Sequence, residues 1–156
     1  MSVVADRLAA AGLTVPEVVP PVAAYVPAVR DGRYVYVSGQ LPVRDGRMPA
    51  TGKVGEGAGL VDPAQAKELA ATCAVNAIAA IASVVDLDAV VRVVKVVGFV
   101  AADPSFTGVP QVVNGASELL GLAFGEAGRH ARSAIGVASL PLDAPVEVEV
   151  VVAVED

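Results

Sequence analysis

The chain has 156 residues, 54% of them hydrophobic and 18% charged, and a net charge of −6 at pH 7. That length suits one domain with a sizeable core. With 11 lysines and arginines and no tryptophan, the chain lacks the basic grooves and stacking aromatics that nucleic-acid binding uses, so such a partner is disfavoured.

One cysteine, Cys73, excludes an internal disulfide and suits a reducing compartment. One cysteine and one histidine also argue against a structural zinc site, so neither metal nor cofactor is expected. The longest uncharged stretch, residues 69–85, contains Thr72, Asn76 and Ser83 and falls short of a bilayer span. Asp6 and Arg7 interrupt any apolar signal core. The expectation is a cytoplasmic protein, with no membrane partner, whose excess apolar surface is buried between copies of itself.

Residues 1–12 read as a short helix with Ser2 as cap and Gly12 as stop, within an extension over residues 1–21 that precedes a single domain over residues 22–156. Residues 14–21 are broken by proline and extended. Residues 23–29 and 33–38 read as a hairpin about Asp31-Gly32, its second strand rich in β-branched and aromatic residues. Residues 39–61 form a long glycine-rich excursion, with a short strand near residues 47–50. Within it, Gly55-Glu56-Gly57-Ala58-Gly59 lacks the preceding strand and the glycine spacing of a dinucleotide loop, and reads as flexible loop.

Asp62 as cap, Pro63 at the first helical position and Gln65 closing a capping box start a helix that runs to about Val84. On it, Cys73 and Asn76 read as packing and local hydrogen bonding. Residues 91–101 read as a central strand, and residues 110–124 as a second helix stopped by Gly125. A loop over residues 125–130 follows. Two tail strands, joined by a turn containing Pro141, then place Arg132 and Glu147 on adjacent rigid strands. Two helices on one face of a mixed sheet leave the other face apolar and uncovered, which favours self-association.

A guanidinium fork suits a carboxylate, and a neighbouring carboxylate can hold or activate water. Arg132 with Glu147 could therefore process a small carboxylic acid, or Arg132 could simply pair with Glu147 or Glu149. His130, beside Arg129 and Arg132, has no triad spacing around a serine and reads as loop decoration.

Several segments together resemble the RidA/YjgF family of enamine/imine deaminases. They are Tyr25-Val26, Ser38-Gly39-Gln40-Leu41-Pro42-Val43, Phe99-Val100, Val113-Asn114-Gly115, Ala131-Arg132-Ser133, Leu140-Pro141 and Val146-Glu147-Val148-Glu149. The match is in register from about residue 22 to the end, with the extension and long loops of a longer-chain subgroup. The resemblance implies a chorismate-mutase-like α+β fold and a homotrimer with clefts between subunits. It implies hydrolysis of reactive 2-enamine and 2-imino acids, such as those derived from 2-aminoacrylate, to 2-keto acids and ammonia.

By that resemblance Arg132 grips the substrate carboxylate and Glu147 helps to place water, while Tyr25, Ser38, Gly39 and Asn114 match further pocket positions. Many members carry cysteine where this chain has Ala134. A covalent thiol role is therefore excluded at that position, which puts substrate range in doubt more than reaction class. Two alternatives stay open: a non-catalytic keto-acid binder, and an endoribonuclease, which a single histidine and an acidic chain disfavour.

Overall fold

The structure, a computed structural model, describes residues 2–155. Helix α1 (Val3–Ala10) is capped by Ser2, whose hydroxyl accepts from the Ala5 amide. The Asp88 carboxylate accepts from Ser2 Oγ at 2.9 Å and from the amides of Val3 and Val4. A distant acid thus ties down the positive end of this helix.

The remaining elements are β1 (Ala28–Asp31), β2 (Tyr34–Gln40), α2 (Pro63–Ala82), β3 (Val90–Ala101), α3 (Val109–Phe124), β4 (Ala131–Val137) and β5 (Val146–Val154). They build a five-stranded sheet in the order β1-β2-β5-β3-β4. Strands β3 and β4 are parallel, joined through α3, and every other pair is antiparallel. The α+β class expected from the sequence is the one observed.

Alternation along the strands divides the sheet into two faces. Val35 and Val37 of β2, Val93, Val96 and Val100 of β3, and Val146, Val148, Val150, Val152 and Val154 of β5 are buried under α2 and α3. The opposite face carries Tyr34 and Tyr36 at 46% and 50% exposure and Ile135 at 43%. It also carries Val97, Phe99, Val151 and Ala153 beside them, and no helix covers it.

Four local expectations need correction. Asp31 pairs with Tyr34, so Gly32 (φ 56°) and Arg33 make the hairpin turn rather than Asp31-Gly32. Residues 23–27 stay outside β1, where Pro27 has no amide to donate to a ladder and accepts from the Ser38 amide instead. No strand forms at residues 47–50; Arg44 and Arg47 close a tight turn over Asp45 and Gly46, both at positive φ. Helix α2 ends at Ala82 rather than Val84, with Ser83 as its cap.

The fifth correction concerns the site. The tail strands are not neighbours: β3 lies between β4 and β5, because α3 returns the chain parallel to β3 at the sheet edge.

Asn76 acts over a longer range than expected. Its amide donates to the carbonyls of Leu41 and Val43, each at 2.9 Å, and pins the end of β2 to α2. Cys73 is fully buried in the core, as the sequence indicated.

Glycines set how closely the helices approach. A side chain at Gly98 would meet Val113 of α3, and one at Gly115 would collide with the Lys67 carbonyl of α2. Gly121, on the same helix, has open space around it. Intrinsic propensity favours alanine over glycine at both helical positions by about 1 kcal/mol. We expect Gly121→Ala to raise the melting temperature. Gly115→Ala should instead cost about 1–3 kcal/mol through overpacking. Paired thermal unfolding of the two variants measures the contrast.

Candidate functional site

Arg132 lies near the start of β4 and pairs with Val96, so it shares the helix-facing side of the sheet. Its Nη1 donates to Asn114 Oδ1 at 2.7 Å and to Ser117 Oγ at 3.3 Å, and its Nη2 donates to the Pro110 carbonyl at 3.1 Å. All three acceptors belong to α3. Residues 110, 114 and 117 recur at helical spacing, so a single stripe of that helix meets the guanidinium.

Two Nη1 hydrogens and one Nη2 hydrogen are thereby used. Of the five donors of an arginine, Nε–H and one Nη2–H remain, the fork that fits a carboxylate. The ion pairs found among the described residues are Lys67–Glu118 and Glu126–Arg129, so no carboxylate compensates Arg132. The partly buried cation is held by neutral dipoles alone.

A second cluster gathers at the other side of the sheet. β2 bulges between Val37 and Gln40, where Ser38 and Gly39 sit. Bulges re-aim a strand locally. Here the bulge lays Gly39 directly under the Glu147 carboxylate, and a Cβ at Gly39 would collide with Glu147 Oε1. Ser38 Oγ donates to the Val26 carbonyl at 2.6 Å, holding the segment that carries Tyr25. Tyr25, Gly39 and Glu147 line a cavity of about 50 Å³ with Pro141 and Leu142. Tyr25 is 43% exposed.

Burial first, and the nearby Glu149 second, push the Glu147 carboxyl above the usual carboxylate range. Glu147 and Glu149 share the open face of β5, as strand alternation required.

Arg132 and Glu147 therefore do not meet within one chain. Glu147 is opposite Phe99 on β3, and Phe99 pairs with Ile135 of β4, three residues beyond Arg132. The two side chains also lie on opposite faces of the sheet. Ala134, two residues after Arg132, stays on the helix side beside Gly98 and packs against the core. The expected residues thus fall into two groups: Arg132, Asn114 and Ala134 in one, and Tyr25, Ser38, Gly39 and Glu147 in the other.

Ser117 and His130 extend the first group. His130 Nε2 lies 2.9 Å from Ser117 Oγ, and its Nδ1 lies 2.6 Å from the Gly128 carbonyl. The reading of His130 as loop decoration is corrected: the fold brings it to a serine that chain spacing did not reveal. The signal was present in two patterns. His130, just before β4, and Arg132, near its start, are two residues apart, and Asn114 and Ser117 share one helix face.

A larger cavity of about 810 Å³ lies between residues 12–20, the turn over residues 43–46 and α2, and holds none of these residues. Among the described residues, no group of three His, Cys, Asp or Glu side chains is placed to hold a metal ion. Among the described residues, no helix is long and apolar enough to cross a membrane.

The endoribonuclease L-PSP family profile matches residues 15–154. Protein TCP17 of Trypanosoma cruzi is 42% identical over 159 residues, covering 97% of this chain and 98% of its own. The crystal structure of Atu1372 from Agrobacterium tumefaciens, a protein of unknown function, superposes with a TM-score of 0.90 at 43% identity, covering 98% of this chain and 93% of that one. The YjgF gene product of E. coli superposes at 0.62 with 26% identity, covering 90% and 94% respectively.

The raised Glu147 carboxyl has a consequence for stability. The folded chain holds that proton more tightly than the unfolded chain, so ionisation counts against folding, and the penalty appears as pH rises through the raised value. Glu147→Gln should therefore melt higher than wild type at about pH 7–8, with the gap closing towards about pH 4. Melting curves across that range, at matched protein concentration, measure it.

Proposed function

This chain belongs to the endoribonuclease L-PSP (YjgF/RidA) family, and on that premise we propose that it hydrolyses reactive 2-enamine and 2-imino acids to 2-keto acids and ammonia. One observation carries the reading: Arg132 is a tethered, partly buried cation with two free donors and, among the described residues, no carboxylate partner. A charge desolvated without a counter-ion is costly, and a small substrate carboxylate would offset that cost.

The site is completed between copies of the chain. Within one protomer Arg132 and Glu147 occupy opposite faces, and the cavity beside Glu147, about 50 Å³, has room for little more than water. A second protomer laid against the open face, with β4 at its edge, would bring one chain's Glu147 towards its neighbour's Arg132. The exposed Tyr34, Tyr36 and Ile135 supply apolar surface for such an interface, and the homotrimer implied by the family resemblance closes it.

In this mechanism the substrate carboxylate docks on the Arg132 fork, and the imine carbon, electrophilic once its nitrogen is protonated, faces the Glu147 cluster. Glu147 takes a proton from water as the oxygen bonds to that carbon, giving a carbinolamine. The same carboxyl returns that proton to the carbinolamine nitrogen, then takes the hydroxyl proton as the C–N bond breaks and the C=O bond forms, releasing ammonia and the 2-keto acid and passing the last proton to solvent. A carboxyl raised by burial is suited to both transfers. Ala134 contributes no nucleophile, and none is needed. Such intermediates arise where pyridoxal-phosphate enzymes act on serine or threonine, which is consistent with a cytoplasmic setting.

The test is ammonia and keto-acid release from enzymatically generated 2-iminopropionate or 2-iminobutyrate. Arg132→Ala should lower kcat/KM by about 100-fold or more, the loss expected for removing one member of a charge pair. Equal activity in that variant contradicts the role of Arg132. Binding of keto acid without any turnover in wild type contradicts deaminase chemistry and selects a sensor. RNA cleavage by the pure protein, abolished by a site mutation, selects a nuclease.

A further inference from the structure

The hydrogen bonds about His130 run in one direction. The Gly128 carbonyl can only accept, so Nδ1 carries the hydrogen of the neutral ring and Nε2 is left as an acceptor. Ser117 Oγ–H then donates to Nε2 at 2.9 Å, which turns the oxygen lone pairs towards Arg132, whose Nη1–H donates to them at 3.3 Å. The sequence is Arg132 to Ser117 to His130 to Gly128, each group donating to the next.

The far end of this chain is fixed by backbone. Gly128 is buried, and a Cβ there would collide with the Leu120 carbonyl of α3. The carbonyl that sets the ring tautomer is therefore held against the same helix that supplies Asn114, Ser117 and Pro110 to the guanidinium. Aligned hydrogen bonds of this kind polarise one another where water is scarce.

We propose that His130 is a positioning residue for Arg132. Acting through Ser117, it fixes the orientation of the guanidinium and so tunes affinity for the substrate carboxylate without touching the reacting atoms. The effect on catalysis rests on the deaminase reading above; the relay itself does not.

Positioning predicts a divided response. Losing one neutral link should raise KM about fivefold, the worth of one net hydrogen bond, and leave kcat within about twofold. Ser117→Ala and His130→Leu each break the relay. Ser117→Thr restores the hydroxyl, and His130→Gln restores an acceptor near the Nε2 position, so both should recover KM. In a double-mutant cycle, His130→Leu should add nothing further once Ser117 is alanine.

A ligand-free measurement separates this proposal from the proposed activity. Exchange of the Arg132 guanidinium hydrogens, followed by NMR in the intact protein, should be slow in wild type and in His130→Gln. It should speed up by the same factor in Ser117→Ala and His130→Leu. If exchange follows this pattern while no 2-keto acid binds and no imine is turned over, the relay stands and the deaminase reading falls. If His130→Leu folds with a wild-type melting curve and leaves Arg132 exchange unchanged, the relay is wrong whatever the activity. Additive effects of Ser117→Ala and His130→Leu on KM would also overturn it.

Discussion

The account depends on a guanidinium taken partly out of water and given dipoles instead of a counter-ion. Asn114, Ser117 and the Pro110 carbonyl saturate one side of Arg132 and leave its carboxylate-matching fork open. Full neutralisation by an internal acid would leave no fork for the carboxylate proposed above. Three neutral acceptors achieve the opposite: they fix direction while leaving the charge to be completed from outside. The helix spacing of residues 110, 114 and 117, the parallel placement of β4 beside β3, and the close seat of α3 at Gly98 all serve that one geometry.

The sheet positions the second half of the site by a different device. Strand β5 turns every even-numbered side chain from Val146 to Val154 into the core, which leaves Glu147 and Glu149 no choice but the open face. The bulge at Ser38 and Gly39 then removes the side chain that would have filled the space over Glu147. A carboxylate in such a place costs stability when it ionises. The uncovered apolar face around it is the surface on which the proposed second protomer would lie.

Much of this was legible in the sequence. The β-branched run of β3, the period-two valines of β5, Asp62 and Pro63 at the start of α2, and Gly125 at the end of α3 mark their elements through local physics, and local physics decided them. Arg132, Asn114, Tyr25, Ser38, Gly39 and Glu147 could be singled out through the family resemblance, because short motifs carry them, whereas Ser117 could not. What the chain order concealed was adjacency. Two tail strands separated by a short connection look like a hairpin, yet β3 lies between them, since α3 had already committed β4 to the edge. That topological fact separates Arg132 from Glu147 by a whole strand, and alternation along β4 and β5 puts their side chains on opposite faces. The partnership of Ser117 with His130 was hidden for the same reason: it joins a helix to the segment just before β4, and only the packing of α3 on the sheet brings them together.

The most direct test of the central claim is a crystal structure of the protein with a small 2-keto acid such as 2-oxobutanoate. The account predicts the ligand carboxylate on Nε and Nη2 of Arg132, with the Asn114, Ser117 and Pro110 contacts retained and Glu147 of a neighbouring protomer facing the keto carbon. A ligand seated elsewhere, or an Arg132 fork closed off from every cavity in the assembled molecule, would contradict it.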